Sequence, residues 1–206
     1  MSDAYRVVKD FEKALCDYTG APYCVTVNSC SMALFLCCKL LKVKKTILPK
    51  FTYPSVAAAV VNAGGWCEFI DNDWQKQGWY PLEPYPVIDS AKYLARGMYE
   101  EGMYICLSFH GQKSLKIGRG GAILLDNERD REWLRCMRFD GRHEKPLHED
   151  AIECVGWNCY LSPEQAARGL EQMQWLSDKN LCGRDPYTDL SKYEFYRKRE
   201  ATAPLP

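Results

Sequence analysis

A lysine, Lys113, lies between an apolar segment and a glycine-rich turn. The apolar segment ends at Ser108-Phe109, and the turn Gly118-Arg119-Gly120-Gly121 follows the lysine. A lysine amine that is partly shielded from water at such a turn can attack a carbonyl carbon and form an imine. Most lysines are solvated surface charges, so this interpretation of Lys113 depends on its surroundings.

An aspartate, Asp89, lies near the end of a second apolar segment, Val87-Ile88-Asp89-Ser90-Ala91. Ligands of open α/β sheets bind at the carboxyl ends of the strands. A carboxylate at that position can accept a charge-assisted hydrogen bond from a protonated ring nitrogen. A turn aspartate that caps the following helix explains this segment equally well when the segment is taken alone.

Two further segments place small polar residues ahead of a predicted helix. Asn28-Ser29-Cys30-Ser31 follows an apolar strand, and the N–H groups at a helix N-terminus bind phosphate. An ordinary serine cap explains the same residues. Gly156-Trp157-Asn158 precedes a late helix, and its asparagine could donate to an anion or satisfy the loop backbone.

The pattern of apolar residues predicts the elements that must position these side chains. Helices are predicted over residues 5–18, 32–41, 52–63, 128–138 and 163–176. Strands are predicted over residues 24–27, 44–49, 66–70, 86–89, 103–109 and 122–125. The alternation favours an α/β domain with a mixed, mostly parallel sheet flanked by helices. After Ser177 the chain becomes polar, which predicts a peripheral or mobile tail.

Composition excludes several classes of function. Lysine plus arginine and aspartate plus glutamate number 27 each, so the net charge of zero gives no indication of nucleic-acid binding. The sequence contains no apolar stretch long enough to span a bilayer. The eleven cysteines are odd in number and irregularly spaced, which predicts reduced thiols in the cytoplasm. Because no Cys-x-x-Cys pair is present, no metal site is predicted.

These segments together resemble the DegT-type family of pyridoxal-phosphate (PLP)-dependent nucleotide-sugar aminotransferases, which have the type I aminotransferase fold. The family pattern runs Ser-Gly-Thr-x-Ala-Leu, Pro-x-x-Thr-aromatic, Glu-Asp-Ala-Ala, Ser-Phe-x-x-x-Lys with Gly-Glu-Gly-Gly, and Gly-x-Asn. This sequence has, in the same order, Ser29-Cys30-Ser31, Pro49-Lys50-Phe51-Thr52-Tyr53, Ile88-Asp89-Ser90-Ala91, Ser108 to Lys113 with Gly118 to Gly121, and Gly156-Trp157-Asn158. The resemblance extends from about Phe11 to Leu176, and the lysine segment is its most specific part.

The resemblance implies that PLP is the cofactor and assigns roles around its ring. Lys113 is implied to be the Schiff-base lysine, and Asp89 is implied to be the partner of the pyridine nitrogen. These two residues are the implied catalytic pair. Tyr53 occupies the position at which the family stacks an aromatic ring on the cofactor face.

The resemblance also implies how the cofactor phosphate is bound. Cys30 and Ser31 would offer backbone amides, and Ser108 would offer its hydroxyl group. Asn158 would reach the phosphate of the neighbouring subunit's cofactor, which implies a homodimer with shared active sites.

The sequence departs from the family pattern at several positions. Lys92 replaces the usual Gln or His near the cofactor phenolate oxygen; it could stabilise that phenolate or point away as a surface charge. Cys30 replaces a glycine, and His110 occupies an often aromatic position, so packing is its predicted role. The chain is also about half as long as a typical member. Residues 1–177 are therefore predicted to be a PLP-binding large domain, and residues 178–206 a short tail or a remnant of a largely missing small domain.

The implied reaction moves an amino group from an amino acid such as glutamate to a keto-sugar nucleotide. The same residues would serve a PLP-dependent decarboxylase or lyase that acts on an amino-acid-like group carried by a larger molecule, such as a modified nucleobase. A third hypothesis is a non-catalytic relative that binds PLP.

Overall fold

The computed structural model describes residues 5–197. Its α-helices are α1 (Arg6–Thr19), α2 (Cys30–Leu40), α3 (Pro54–Asn62), α4 (Glu128–Arg138) and α5 (Pro163–Met173). Its strands are β1 (Tyr23–Val27), β2 (Lys45–Pro49), β3 (Trp66–Ile70), β4 (Tyr80–Pro81), β5 (Val87–Ser90), β6 (Tyr93–Ala95), β7 (Tyr104–Ser108), β8 (Gly121–Leu125) and β9 (Lys179–Leu181). Every predicted helix and strand is confirmed, but the short strands β4, β6 and β9 were not predicted.

Capping residues fix the ends of three of the helices. The Ser29 side chain accepts a hydrogen bond from the backbone N–H of Met32 and so caps α2. Ser162 caps α5 in the same way, with Pro163 at the first helical position. Gly20 ends α1 at a φ of 81°, a left-handed conformation that glycine adopts without strain.

The main sheet has five strands in the order β1-β8-β7-β5-β4. The pairs β1–β8, β8–β7 and β5–β4 are antiparallel, whereas β5–β7 is parallel. The α/β fold with a mixed sheet is therefore confirmed, but the expectation of a mostly parallel sheet is wrong. Residues 109–120 join β7 to β8 without a helix, and such a connection returns the chain antiparallel. A separate two-stranded sheet, β2–β3, is parallel because α3 provides the crossover.

The hydrophobic core lies on both faces of the main sheet. The side chains of β8 alternate between the two core clusters: Ile123 and Leu125 belong to one, and Ala122 and Leu124 belong to the other. The first cluster includes buried residues of α2 and α3, and the second includes residues of α1 and α5. The sheet therefore forms the middle of three layers.

A buried ion cluster joins α1 to α4. The Arg138 side chain is fully buried, and its Nη1 donates to Glu12 Oε1 at 2.5 Å. Its Nη2 donates to Glu144 Oε1 at 2.7 Å, and Nη1 also donates to the carbonyl oxygen of Thr26 in β1 at 2.5 Å. This cluster fixes the helices on either side of β1.

Residues 178–197 pack onto the same domain. Strand β9 pairs with β6, and Leu190 is buried in the core cluster that contains α2 and α3. Most side chains of residues 178–197 are exposed, which agrees with the peripheral position predicted for this segment. Strand β9 and Leu190 nevertheless attach it to the domain, and residues 198–206 lie outside the described part.

Two further expectations from the sequence concern the state of the cysteines and the presence of membrane spans. All eleven cysteines lie among the described residues and are free thiols. Across residues 5–197, none of the helices has the length and apolar character that a membrane span requires.

Candidate active site

A cavity of about 750 Å³ opens at the carboxyl ends of β1, β5 and β7. These three strands run in the same direction, because β1 and β7 are both antiparallel to β8 and β5 is parallel to β7. Their carboxyl ends therefore meet at one edge of the sheet, where open α/β sheets bind ligands. The cavity brings together six of the predicted site residues: Cys30, Ser31, Tyr53, Asp89, Ser108 and Lys113.

The N-terminus of α2 forms one end of the cavity. The first N–H groups of a helix have no partner within the helix and can therefore bind an anion. A Cβ atom on Gly121 would lie only 2.5 Å from the backbone N of Cys30. Glycine at this position therefore allows the backbone of β8 to approach the helix end. The Ser31 hydroxyl is held by the Ser55 hydroxyl at 2.6 Å. These groups fit a phosphate.

Asp89 is a buried carboxylate at the floor of the cavity, only 3% exposed. Its Oδ2 accepts from the Tyr80 hydroxyl at 2.8 Å, and its Oδ1 accepts from the Ala91 N–H at 3.0 Å and the Cys30 thiol at 3.9 Å. Burial raises the pKa of Asp89 above its ordinary value, while these hydrogen bonds and the charge of Lys113 lower it part of the way. A carboxylate surrounded mainly by neutral donors fits a positively charged ring nitrogen.

Lys113 is half-buried in the turn after β7. Its backbone N–H donates to the carbonyl oxygen of His110 at 2.8 Å, which fixes the turn. The Lys113 charge acts on both Asp89 and Cys30, and it opposes the rise in pKa that burial causes at each group. Tyr53, with 61% of its surface exposed, lies at the rim of the cavity. The amine, the carboxylate and the helix end together fit an aromatic aldehyde that carries a phosphate.

Two predicted site residues do not line this cavity. Lys92 is buried, and its Nζ binds Asp185 Oδ2 at 2.8 Å and Gln75 Oε1 at 3.0 Å. The alternative of a surface charge is therefore wrong, and the structure directs this cation to Asp185 instead of into the cavity. Asn158 is exposed, and its Nδ2 donates to Asp140 Oδ2 at 3.0 Å.

Several cavity residues were not predicted from the sequence. His110 is exposed and lines the cavity with Arg119, so the packing role predicted for His110 is wrong. A further wall comes from the segment Asp185-Pro186-Tyr187-Thr188. This segment lies in a polar stretch without periodicity, and no local signal identifies it as part of a site.

Comparison with known families identifies the chain. The model of the DegT/DnrJ/EryC1/StrS aminotransferase family matches residues 1–80 and 91–193. The chain belongs to this family. The match leaves out residues 81–90 and therefore Asp89, which the structure places at the cavity. The family resemblance expected from the sequence is confirmed.

Several curated relatives of this DegT-family chain are named for sugar nucleotides. A UDP-4-amino-4,6-dideoxy-N-acetyl-beta-L-altrosamine transaminase of Campylobacter jejuni is 26% identical over 91% of this chain and 61% of its own length. A GDP-perosamine synthase of Caulobacter vibrioides is 23% identical over 90% of this chain and 61% of its own length. The chain thus spans about three fifths of these relatives.

Solved structures confirm the fold. PseC of Helicobacter pylori, an aminotransferase involved in pseudoaminic acid biosynthesis, has a TM-score of 0.69 at 18% identity over 82% of this chain and 57% of that chain. A Streptococcus pneumoniae protein solved in its PLP form has a TM-score of 0.67 at 18% identity over 82% of this chain and 59% of that chain. Membership of this aminotransferase family indicates PLP as the cofactor.

Proposed function

We propose that this chain is a PLP-dependent aminotransferase that moves an amino group from an amino acid such as glutamate to a keto-sugar nucleotide. The observation that carries the proposal is the presence of Lys113, Asp89 and the N-terminus of α2 around one cavity. The relatives named as a UDP-sugar transaminase and a GDP-perosamine synthase support a nucleotide-linked sugar as the substrate.

Each end of the cavity would bind one part of the cofactor. The N–H groups of Cys30 and Ser31 and the Ser108 hydroxyl would hold the phosphate. Asp89 would accept a hydrogen bond from the ring nitrogen and keep that nitrogen protonated. The Tyr53 ring, at the cavity rim, would cover one face of the cofactor.

Lys113 would act both as the attachment point and as the group that carries the proton. When bound, PLP supplies an electron sink for the substrate carbon. The Lys113 amine would take a proton from that carbon and deliver it to the carbon on the other side of the transferred nitrogen. The half-buried side chain reaches the cavity from a turn that is fixed at His110, so the amine starts close to its target.

Asn158 supports a homodimer with shared active sites. Its side chain is exposed, lies outside the cavity of its own chain and is oriented by Asp140. We propose that it donates to the cofactor phosphate in the partner subunit. The eleven free thiols support a reducing, cytoplasmic setting.

Borohydride reduction of the protein purified with PLP tests the attachment. We expect mass spectrometry to find a phosphopyridoxyl group on Lys113. Lys113→Ala should lose both the label and at least about a hundredfold of the activity, because the amine carries the proton. Lys116→Ala removes an exposed lysine from the same turn and should keep both. A label on another lysine, or full activity in Lys113→Ala, would refute the proposal.

The identity of the products tests the reaction type. With an amino-acid donor such as glutamate, we expect one keto-acid molecule for each cofactor converted to its amine form. Release of carbon dioxide without a keto acid would instead indicate the decarboxylase alternative.

A further inference from the structure

Asp89 is held by a buried chain of two hydroxyl groups, and the one that contacts it, that of Tyr80, lies outside the family motifs. The Tyr80 hydroxyl donates to Asp89 Oδ2 at 2.8 Å, and the Thr52 hydroxyl lies 2.6 Å from the Tyr80 oxygen. Thr52 and Tyr80 are each 1% exposed and Asp89 is 3% exposed. These three side chains are therefore almost entirely shielded from bulk water.

The proton count fixes the direction of this chain. An ionised carboxylate can only accept, and a tyrosine hydroxyl has a single proton to donate. Because Tyr80 donates that proton to Asp89, Thr52 must donate its own proton to the Tyr80 oxygen. Burial raises the pKa of Tyr80 well above its ordinary value, so its hydroxyl remains a neutral donor.

The sheet register and the aromatic packing keep Tyr80 in place. Tyr80 in β4 lies directly opposite Asp89 in the antiparallel pair β4–β5, so both side chains project from the same face. The Tyr80 ring packs at 4.7 Å against Trp74, whose Nε1 donates to the carbonyl oxygen of Phe51 at 2.8 Å. Trp74 in turn stacks on Tyr187 of the cavity wall.

We propose that Tyr80, supported by Thr52, is a positioning residue that fixes the orientation and the charge of the Asp89 carboxylate for the ring nitrogen of the cofactor. This inference rests on the proposed function, because Asp89 has a cofactor to bind only if that function is correct. Tyr80 holds one oxygen while Ala91 and Cys30 hold the other. The carboxylate then cannot rotate, and its remaining lone pairs are aimed before the cofactor arrives.

The first experiment needs no cofactor. In the cofactor-free protein, ¹³C NMR of the aspartate carboxyl groups should show that Tyr80→Phe raises the pKa of Asp89 by about one pH unit, a tenfold change in proton affinity, because a buried carboxylate loses a donor. Thr52→Val should shift it in the same direction by less. The other titratable groups around this carboxylate are Cys30, Cys106, Lys113 and Tyr187, and all remain in these variants.

Tyr104→Phe is the matched control. Its hydroxyl also donates to a carboxylate, that of Asp130, but neither residue lines the cavity. We expect this variant to leave the pKa of Asp89 unchanged. An Asp89 pKa that stays the same in Tyr80→Phe would overturn the proposal whether or not the protein binds PLP.

The second experiment measures recognition of the ring nitrogen by titrating PLP and an analogue in which a CH group replaces that nitrogen. The wild-type protein should prefer PLP, Asp89→Asn should lose the preference, and Tyr80→Phe should reduce it about tenfold. In the Tyr80→Phe/Asp89→Asn double variant, Tyr80→Phe should have no further effect on the preference, since it acts through Asp89. A preference that is unchanged in Tyr80→Phe would overturn the positioning role. A wild-type protein that binds neither compound would overturn the proposed function and, with it, the role of Tyr80 towards a cofactor.

Discussion

Arg138 and Asp89 are both buried charged side chains, but they differ in whether a group of opposite charge is bonded to them. Arg138 is bonded to two carboxylates, those of Glu12 and Glu144. Burial lowers the pKa of Arg138, but these carboxylates outweigh burial and raise it above its ordinary value. Within residues 5–197, Asp89 receives hydrogen bonds from neutral groups alone, and burial raises its pKa.

This difference makes the Arg138 charge structural and leaves the Asp89 charge available to a ligand. The charge of Arg138 is neutralised inside the protein, at a point where α1, α4 and β1 meet. The charge of Asp89 faces a cavity, and the cation Lys113 acts on it through space. A buried charge without a bonded counterion costs free energy, and a positively charged ligand would remove that cost.

The largest effect on stability is expected for Arg138→Met. Removing the guanidinium leaves the buried Glu12 carboxylate without its cation and leaves Glu144 with Arg135 alone, so we expect a loss of about 3 to 5 kcal/mol in the free energy of unfolding. Urea denaturation at pH 7 measures it. Arg129→Met, at an exposed position of the same helix, should change stability by less than about 0.5 kcal/mol. Equal effects of the two variants would show that the ion cluster does not hold the helices together.

A much smaller effect is expected for Asp89→Asn. Because the ionised carboxylate is costly when no ligand is bound, its removal should leave the free energy of unfolding of the cofactor-free protein within about 1 kcal/mol of wild type, or raise it.

The pH dependence gives the sign of the Asp89 contribution. The pKa of Asp89 in the folded protein lies above the ordinary value of 3.8. The stability that protonated Asp89 contributes is therefore present below pH 3.8 and is lost as the pH rises through the raised pKa. Asp89→Asn should remove that loss, and Asp130→Asn, remote from the cavity, should not. A large destabilisation by Asp89→Asn at pH 7 would contradict the contrast with Arg138.

The smallest effect is local and concerns the cavity wall of residues 185–188. The hydrogen bond from Lys92 lowers the pKa of Asp185 below its ordinary value of 3.8. The contribution of this pair is present above pH 3.8 and is lost as the pH falls through the lowered pKa. Hydrogen exchange of the Asp185 and Leu190 amides, which bond Gln75 and Lys50, should accelerate relative to the core as the solution is acidified. In Asp185→Asn, the exchange of these amides should not accelerate on acidification. If the acceleration persists in that variant, a group other than Asp185 causes it.

The elements around the cavity differ in how far the sequence could predict them. Apolar periodicity and caps such as Ser29 predicted each helix, because these signals are local to the chain. The order of motifs predicted that Cys30, Ser31, Tyr53, Asp89, Ser108 and Lys113 would meet, and they do line one cavity. The expectation of a mostly parallel sheet failed because strand direction depends on how connections pack, and a run of apolar residues has no direction.

The sequence alone determined the helices, the main strands and the family, since each of these depends on residue types at fixed spacing. Only the tertiary structure decided which groups surround Asp89 and where Lys92 points. The hydroxyl of Tyr80 reaches Asp89 because β4 pairs with β5, and Lys92 turns to Asp185, 93 positions further along the chain. Contacts between residues distant in sequence form only when the chain packs, so spacing could not reveal them.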